Sequence, residues 1–346
     1  MSRYSPETSC DICAATDSFE PWLEVSVVQV FDRWIHRCRS CGFHQVRPRL
    51  TATEILQLYP ADYFDAESSV GYRDYAREAQ RRRREAYFLS RGRLPGRALE
   101  VGCALGFLLV ALRQHGFDVA GVDASAFASY YGHTRFEIPI THGVLEDARF
   151  DENTFDLVIQ KDLLEHVAAP RAHLNETWRV MKPGGQLWVI TPNGQANLRP
   201  LAAVASTASP DELPLLDQGH LSFFTESNLR RLFGDCGFVV ERARVIGVRR
   251  GLQALGWLPG QHRFAAAGAR VDNAAPRAGV ELPARSQAAV FETLAEAVDQ
   301  ATARHRRWVH RQVPYFYAHR FSKALDTLPA STALGYDFEF WLRKTP

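Results

Sequence analysis

Glu100-Val101-Gly102-Cys103-Ala104-Leu105-Gly106 is the stretch that decides the fold of this chain. The apolar run Ala98-Leu99 precedes it, and Phe107 to His115 follows with apolar residues at helical spacing. The order is strand, glycine turn, helix. Gly102 permits a tight turn, and Gly106 permits close packing of helix on strand. Twenty-one residues past Gly102 stands Asp123, closing the next strand, Phe117 to Asp123. A carboxylate there can accept from both hydroxyls of a ribose, so a nucleoside ligand is expected. The dinucleotide fingerprint has glycine where Ala104 stands, and Glu100 would repel a pyrophosphate. An acidic site favours instead a ligand with a sulfonium and an ammonium. The sign of the charge therefore points to S-adenosylmethionine over NAD. Taken by itself the loop could be an ordinary glycine turn of an α/β protein, and Asp123 weighs against that reading.

Outward from this stretch, residues 96–246 alternate strand and helix patterns. Phe155-Asp156-Leu157-Val158-Ile159 is a third strand, and Leu187-Trp188-Val189-Ile190 follows the turn Pro183-Gly184-Gly185. Helices fall over Phe107 to His115 and Ala172 to Met181. This alternation predicts a parallel sheet with helices on both faces. Residues 1–50 hold paired cysteines and a strand-like Val25-Ser26-Val27-Val28-Gln29-Val30. Residues 51–95 read as a helical linker or cap, including Thr53 to Leu58 and a polar helix through Arg81–Arg84. Residues 247–334 read as a mainly helical insertion, a lid or a dimer contact, with a helix near 285–311. Residues 335–346 hold a last strand, Tyr336-Asp337-Phe338-Glu339-Phe340-Trp341-Leu342.

Composition narrows the function classes. With 346 residues, 46% apolar and 23% charged, the chain can bury a core without disulfide staples. A net charge of +2 gives no global field for a polyanion. No run approaches the roughly 20 apolar residues of a membrane helix. The segment Met1 to Cys10 is polar and lacks an apolar signal core, so a cytoplasmic protein is expected. Four of six cysteines form two C-x-x-C pairs, Cys10 with Cys13 and Cys38 with Cys41, with 24 residues between the pairs. In a reducing compartment that pattern suggests metal before disulfide, and four thiolates suit tetrahedral zinc. With every coordination position filled by sulfur, the zinc would be structural.

Several motifs, in order, resemble class I S-adenosylmethionine-dependent methyltransferases. They are Glu100 to Gly106, Gly121-Val122-Asp123-Ala124-Ser125, Phe155-Asp156-Leu157-Val158, Leu164-Glu165-His166-Val167 with Pro170, Met181-Lys182-Pro183-Gly184-Gly185, and Thr191-Pro192-Asn193. His220-Leu221-Ser222-Phe223-Phe224-Thr225 and Cys236-Gly237-Phe238 resemble the ubiquinone-type subgroup. Cys38-Arg39-Ser40-Cys41-Gly42-Phe43 and Leu58 to Phe64 resemble a zinc-ribbon extension fused to such enzymes. The resemblance covers residues 10–245. It implies a Rossmann-like sheet of seven strands, the last antiparallel and near 335–343. It places Glu100 by the methionine end of the cofactor. Gly102, Cys103, Ala104 and Gly106 would wrap the cofactor, with Asp123 and Ala124 at the ribose and Leu145 and Glu146 flanking adenine. The usual acid after Gly143 is Val144 here, which shifts adenine recognition to backbone near Leu145.

Methyl transfer to a hydroxyl needs alignment and a base, and histidine is the default. His166 follows the fourth strand, where open α/β sheets place ligands. His220 ends a long loop before an aromatic pair. Either can contact the acceptor or hold its own loop. Asp162 can face the methyl group or cap a helix, and His142 reads as a strand-edge residue. Arg81–Arg84 could grip a phosphate, although a solvated helix face is the plainer reading. Arg304 to Arg311 could bind an anionic or sugar acceptor or form a packed amphipathic helix. The expected function is O-methylation of a small molecule: a sugar, nucleotide-sugar or secondary metabolite. C-methylation of a keto-sugar-like acceptor is the alternative. Nucleic acid is disfavoured by the charge, no membrane partner is expected, and a homodimer stays open.

Overall fold

The computed structural model describes residues 8–23, 33–60, 63–64, 75–198, 220–247, 284–306 and 336–345. The strand predicted over Val25–Val30, most of the insertion and the end of the Arg304–Arg311 run lie outside them. No helix among the described residues is long and apolar enough to cross a membrane.

The chain opens with three short antiparallel strands, β1 (Phe19–Leu23), β2 (Trp34–Cys38) and β3 (His44–Arg47). Helix α1 (Ala52–Gln57) starts at Thr51, whose hydroxyl accepts from Glu54 N–H while Glu54 bonds back to Thr51 N–H. Helix α2 (Tyr75–Ser90) leads into the main unit. There β4 (Arg97–Val101), α3 (Phe107–Gln114), β5 (Asp118–Asp123), α4 (Ala126–Phe136), β6 (Ile140–His142), β7 (Phe155–Lys161), α5 (Pro170–Val180) and β8 (Met181–Pro192) alternate. Then come β9 (Ser222–Phe223), α6 (Glu226–Asp235), β10 (Phe238–Ile246), α7 (Ala284–Arg306) and β11 (Asp337–Lys344).

Seven strands form one sheet in the order β10-β11-β8-β7-β4-β5-β6. The neighbours β8, β7, β4, β5 and β6 pair in parallel, and β11 runs antiparallel between β8 and β10. This is the seven-stranded arrangement expected. Alternation along the strands explains the two layers of helices. Ala98, Leu157, Ile159, Trp188 and Ile190 pack with α2 and α3 on one face. Leu99, Val158, Leu187, Val189 and Phe340 pack with α5 and α6 on the other. Pro170 opens α5, since a proline's missing N–H is no loss in a first helical turn. Strand β8 starts at Met181, so the Pro183-Gly184-Gly185 turn lies within it and α5 ends at Val180.

Two features were not visible from the sequence. Strand β9 leaves the main unit and pairs with β3, giving a four-stranded sheet β1-β2-β3-β9. The cysteine-bearing segment therefore shares a sheet with residues 222–223. Its buried Cys10, Ile12, Cys38 and Phe43 join the core under α5 and α6, and Phe43 stacks on Phe224 at 5.3 Å. Helix α7 docks on α4. Phe291 meets Phe127 at 5.6 Å, Tyr131 Oη donates to Asp299 at 2.7 Å, and Arg135 pairs with Glu292 at 2.6 Å and Asp299 at 2.9 Å. Its core contacts include Leu105 of the glycine turn.

Candidate active site

The glycine turn is built by left-handed backbone: Gly102 has φ 72°, Ala104 φ 47° and Gly106 φ 80°. Gly102 and Cys103 N–H both donate to Val122 O, at 2.8 and 3.2 Å, which ties the turn to β5. Asp123 completes it. Its Oδ2 accepts from Ala104 N–H at 2.7 Å and its Oδ1 from Ser125 N–H at 2.9 Å. Each oxygen has capacity to accept a second hydrogen bond. Burial nevertheless holds the Asp123 carboxyl up at about 6.

Glu100 lies on β4, 2% exposed. Burial pushes its carboxyl up to about 8, with Arg82 and Lys161 opposing. Its Oε2 is buried without a hydrogen-bond partner among the described residues. A buried acceptor left unpaired costs about 1–3 kcal/mol. A cationic amine placed there would satisfy it, so the donor set fits S-adenosylmethionine. Leu145 and Glu146 lie in a 3-10 turn after β6, where Leu145 is buried and Glu146 reaches His173 Nδ1 on α5 at 3.4 Å. Ala124 O lies 3.1 Å from His142 Nε2, on an exposed strand end.

The basic run on α2 divides. Arg81, Arg83 and Arg84 are exposed, as a solvated helix face should be. Arg82 turns inward, with Nε 2.8 Å from Glu78 and Nη1 3.0 Å from Glu85. Glu85 also meets the buried Lys161 Nζ at 2.7 Å. Burial works against the Glu85 charge, but Arg82 and Lys161 outweigh it and hold the carboxyl down at about 2. This buried network joins α2 to the end of β7.

The two histidines meet. Their rings lie edge to face at 4.9 Å, although a long loop separates them in sequence. His166 ends the 3-10 turn Leu164–His166, with Nε2 3.9 Å from Glu165 Oε1. Glu165 is buried, its Oε2 accepts from Thr191 Oγ1 at 2.9 Å, and burial with nearby Asp162 pushes its carboxyl well up. His220 is buried, and burial together with His166 pushes its imidazole well below the ordinary value. Its Nδ1 faces Asn197 Nδ2 at 3.3 Å. Glu165, His166 and His220 offer ligand atoms all within 4.8 Å, the spacing of a proton relay and also of a cation site. Asp162 is exposed with φ 51°, and Leu163 rather than Asp162 stands at the start of the turn, so it caps nothing there.

Tyr59, Glu165 and Asn197 were not singled out as site residues in the sequence. Tyr59 is half-buried and packs on Tyr63 at 5.0 Å. Burial, then Tyr63, Asp123 and Glu165, push its hydroxyl well up. The signal was available in the Leu58 to Phe64 segment, which carries two tyrosines beside a proline.

The four paired cysteines converge, every Sγ within 4.8 Å of the others. Cys10 and Cys41 sulfurs are 3.6 Å apart, and those of Cys13 and Cys38 are 3.7 Å apart. None is in a disulfide. Burial raises the Cys38 thiol, but Ser18 Oγ and the Cys41 and Ser40 N–H groups outweigh it and bring it to about 7. Four sulfurs in this arrangement are compatible with tetrahedral zinc.

A Rossmann-like sheet with a glycine turn and two acids at its carboxyl edge defines a protein that binds a nucleoside cofactor. Residues 72–243 match the family model of a methyltransferase domain. The ubiquinone biosynthesis O-methyltransferase of Maricaulis maris is 34% identical over 116 residues, 32% of this chain and 46% of that protein. Its counterpart in Psychrobacter arcticus is 28% identical over 163 residues, 44% of this chain and 62% of that protein. The chain thus spans about half the length of the curated relatives it matches. A solved SAM-dependent methyltransferase from Archaeoglobus fulgidus is 13% identical, covers 79% of this chain and 95% of its own, and gives a TM-score of 0.43. Residues 72–243 thus form a class I S-adenosylmethionine-dependent methyltransferase domain.

Proposed function

We propose that this protein transfers a methyl group from S-adenosylmethionine to a hydroxyl of a small molecule, with His166 as general base. The observation that carries the reading is the His166–His220 pair, closed at 4.9 Å beside a buried carboxyl at the carboxyl edge of the sheet. The Asn197 amide beside its Nδ1 holds the His220 ring in place and leaves Nε2 as the nitrogen available to the acceptor. Through it His220 donates to the acceptor oxygen and orients it. His166 takes the hydroxyl proton. The sulfonium supplies an activated methyl carbon when the cofactor is bound. Glu100 would hold its ammonium, Asp123 its ribose, and Gly102 to Gly106 its backbone-facing side. Tyr59 helps exclude water from the crevice. The relatives' name as O-methyltransferases supports a hydroxyl acceptor. A sugar, nucleotide-sugar or other secondary metabolite is the acceptor class we favour. Zinc held by Cys10, Cys13, Cys38 and Cys41 is structural in this reading, with no position left for a reacting water.

The test is turnover against a panel of hydroxylated small molecules, read by mass shift, with product NMR separating O- from C-methylation. On the acceptor found, His166→Ala should lower turnover by about 10²–10⁴-fold, the range for a lost general base. His220→Ala should also lower it, and cofactor binding should survive both changes. Two variants that methylate at the wild-type rate would end this assignment.

A further inference from the structure

The cysteine knuckle and the loops that carry the histidine pair are connected by a set of buried and half-buried hydrogen bonds. Asp11 sits inside the first knuckle, between Cys10 and Cys13, and is fully buried. Its Oδ2 accepts from Gln45 Nε2 at 3.2 Å and from Arg49 Nη2 at 2.5 Å. Its Oδ1 accepts from the backbone N–H of Arg171 at 3.2 Å. The Arg171 side chain answers by donating to Asp11 O at 2.6 Å and Ile12 O at 3.1 Å. Arg171 is the second residue of α5, the helix that follows the turn carrying Glu165 and His166. Gln45 is also fully buried, and its Nε2 lies 3.3 Å from both Ala168 O and Ser222 Oγ.

The second histidine is reached through the backbone. Val46 N–H donates to Leu221 O at 2.8 Å, and Leu221 N–H donates to Glu165 O at 2.7 Å. Leu221 is the residue after His220, and Glu165 the residue before His166. Both histidine loops are thus clamped, within a few residues of each imidazole, by one module whose knuckle is set by four sulfurs. Glu100 and Asp123 stand on β4 and β5, away from these bonds.

We propose that Asp11 and Gln45 are positioning residues: through the Arg171 N–H, the Ala168 carbonyl and the Ser222 hydroxyl they set the spacing of His166 against His220. The inference rests on the reading of that pair as the acceptor side of the active site. It makes the cysteine module part of the catalytic scaffold rather than an appendage for a separate partner. Replacing one oxygen of this buried carboxylate by an NH2 sets donor against donor on that side, and the loops those donors belong to must move to regain partners.

The experiment uses the full chain, ¹⁵N-labelled on histidine, with S-adenosylhomocysteine as probe. Imidazole resonances of His166 and His220 are assigned by their alanine variants. Asp11→Asn keeps the volume and removes the charge, while Gln45→Met removes the amide bridge alone. Each should shift both imidazole resonances and weaken the contact between the two rings. Affinity for S-adenosylhomocysteine by calorimetry should stay within about twofold, a change worth well under 1.4 kcal/mol. Removing the metal should give the same signature. Unmoved imidazole resonances in the folded variants overturn the proposal, as does an equal loss of affinity for S-adenosylhomocysteine. If Asp11→Asn does not fold, Gln45→Met decides by the same readouts. Failure here leaves the function reading intact, because that reading falls only if the histidine variants keep full turnover.

Discussion

Glu100 is a carboxyl placed where ionisation is disfavoured, and that placement gives it a measurable signature. In the free protein it keeps its proton up to about pH 8, and Asp123 keeps its own up to about pH 6, both chiefly through burial. A folded-state value raised above the unfolded one means that the folded chain binds the extra proton. Stability from these groups therefore falls as pH climbs from the ordinary carboxylate range toward 8. A cationic ligand reverses the preference and expels the proton. Affinity for S-adenosylmethionine should rise between about pH 6 and 8, by at most tenfold per unit, with proton release seen in calorimetry in buffers of different ionisation heat. Glu100→Gln should flatten that slope and weaken binding, and a flat profile in the wild type would remove Glu100 from the site. Asp123→Ala deletes two bonds that shape the turn as well as the ribose acceptor, so affinity should drop by about tenfold or more. Undiminished affinity in the same titration would count against it. Both acids were legible in the sequence because their meaning depends on spacing to a local turn. The encounter of His166 with His220 was not, since it depends on a register that only β3 and β9 create.

The elements show where local pattern suffices. β4, β5, β7 and β8 announce themselves as apolar runs because they are buried on both faces. β6 and β9 have three and two residues, too few to carry a period. Gly121 within β5 has a packing reason that no pattern reveals. A Cβ there would lie 2.6 Å from Cys103 Sγ and 2.9 Å from Leu109 Cδ1. Gly121→Ala should therefore cost about 1–3 kcal/mol by overpacking and disturb the cofactor turn. A lower urea midpoint would show this, and an unchanged midpoint would refute it. Helix α7 was expected from sequence, but its seat on α4 was not, because Tyr131–Asp299 and Arg135–Glu292 join residues far apart in the chain.

At the scale of the molecule, the cysteine module contributes to one continuous core rather than standing alone. Its zinc, in the reading above, is folding energy, since a formed four-thiolate site does not exist in the unfolded chain. Purified protein should hold close to one zinc per chain, and Cys13→Ser should lower both metal content and melting temperature. Little or no zinc in undamaged protein would contradict the assignment. The paired C-x-x-C spacing made the convergence of the four cysteines readable, whereas the sharing of a sheet with residues 222–223 requires a partner strand far along the chain.

The order of strands also governs synthesis. Among the described residues β10 pairs only with β11, and β11 is wedged between it and β8. A nascent chain stalled before residue 337 must therefore hold β10 with its backbone groups unmatched and the flank of β8 bare. The last described strand fills the gap between β8 and β10, so a ribosome releasing the chain early would deliver a sticky fragment instead of a slightly shortened enzyme.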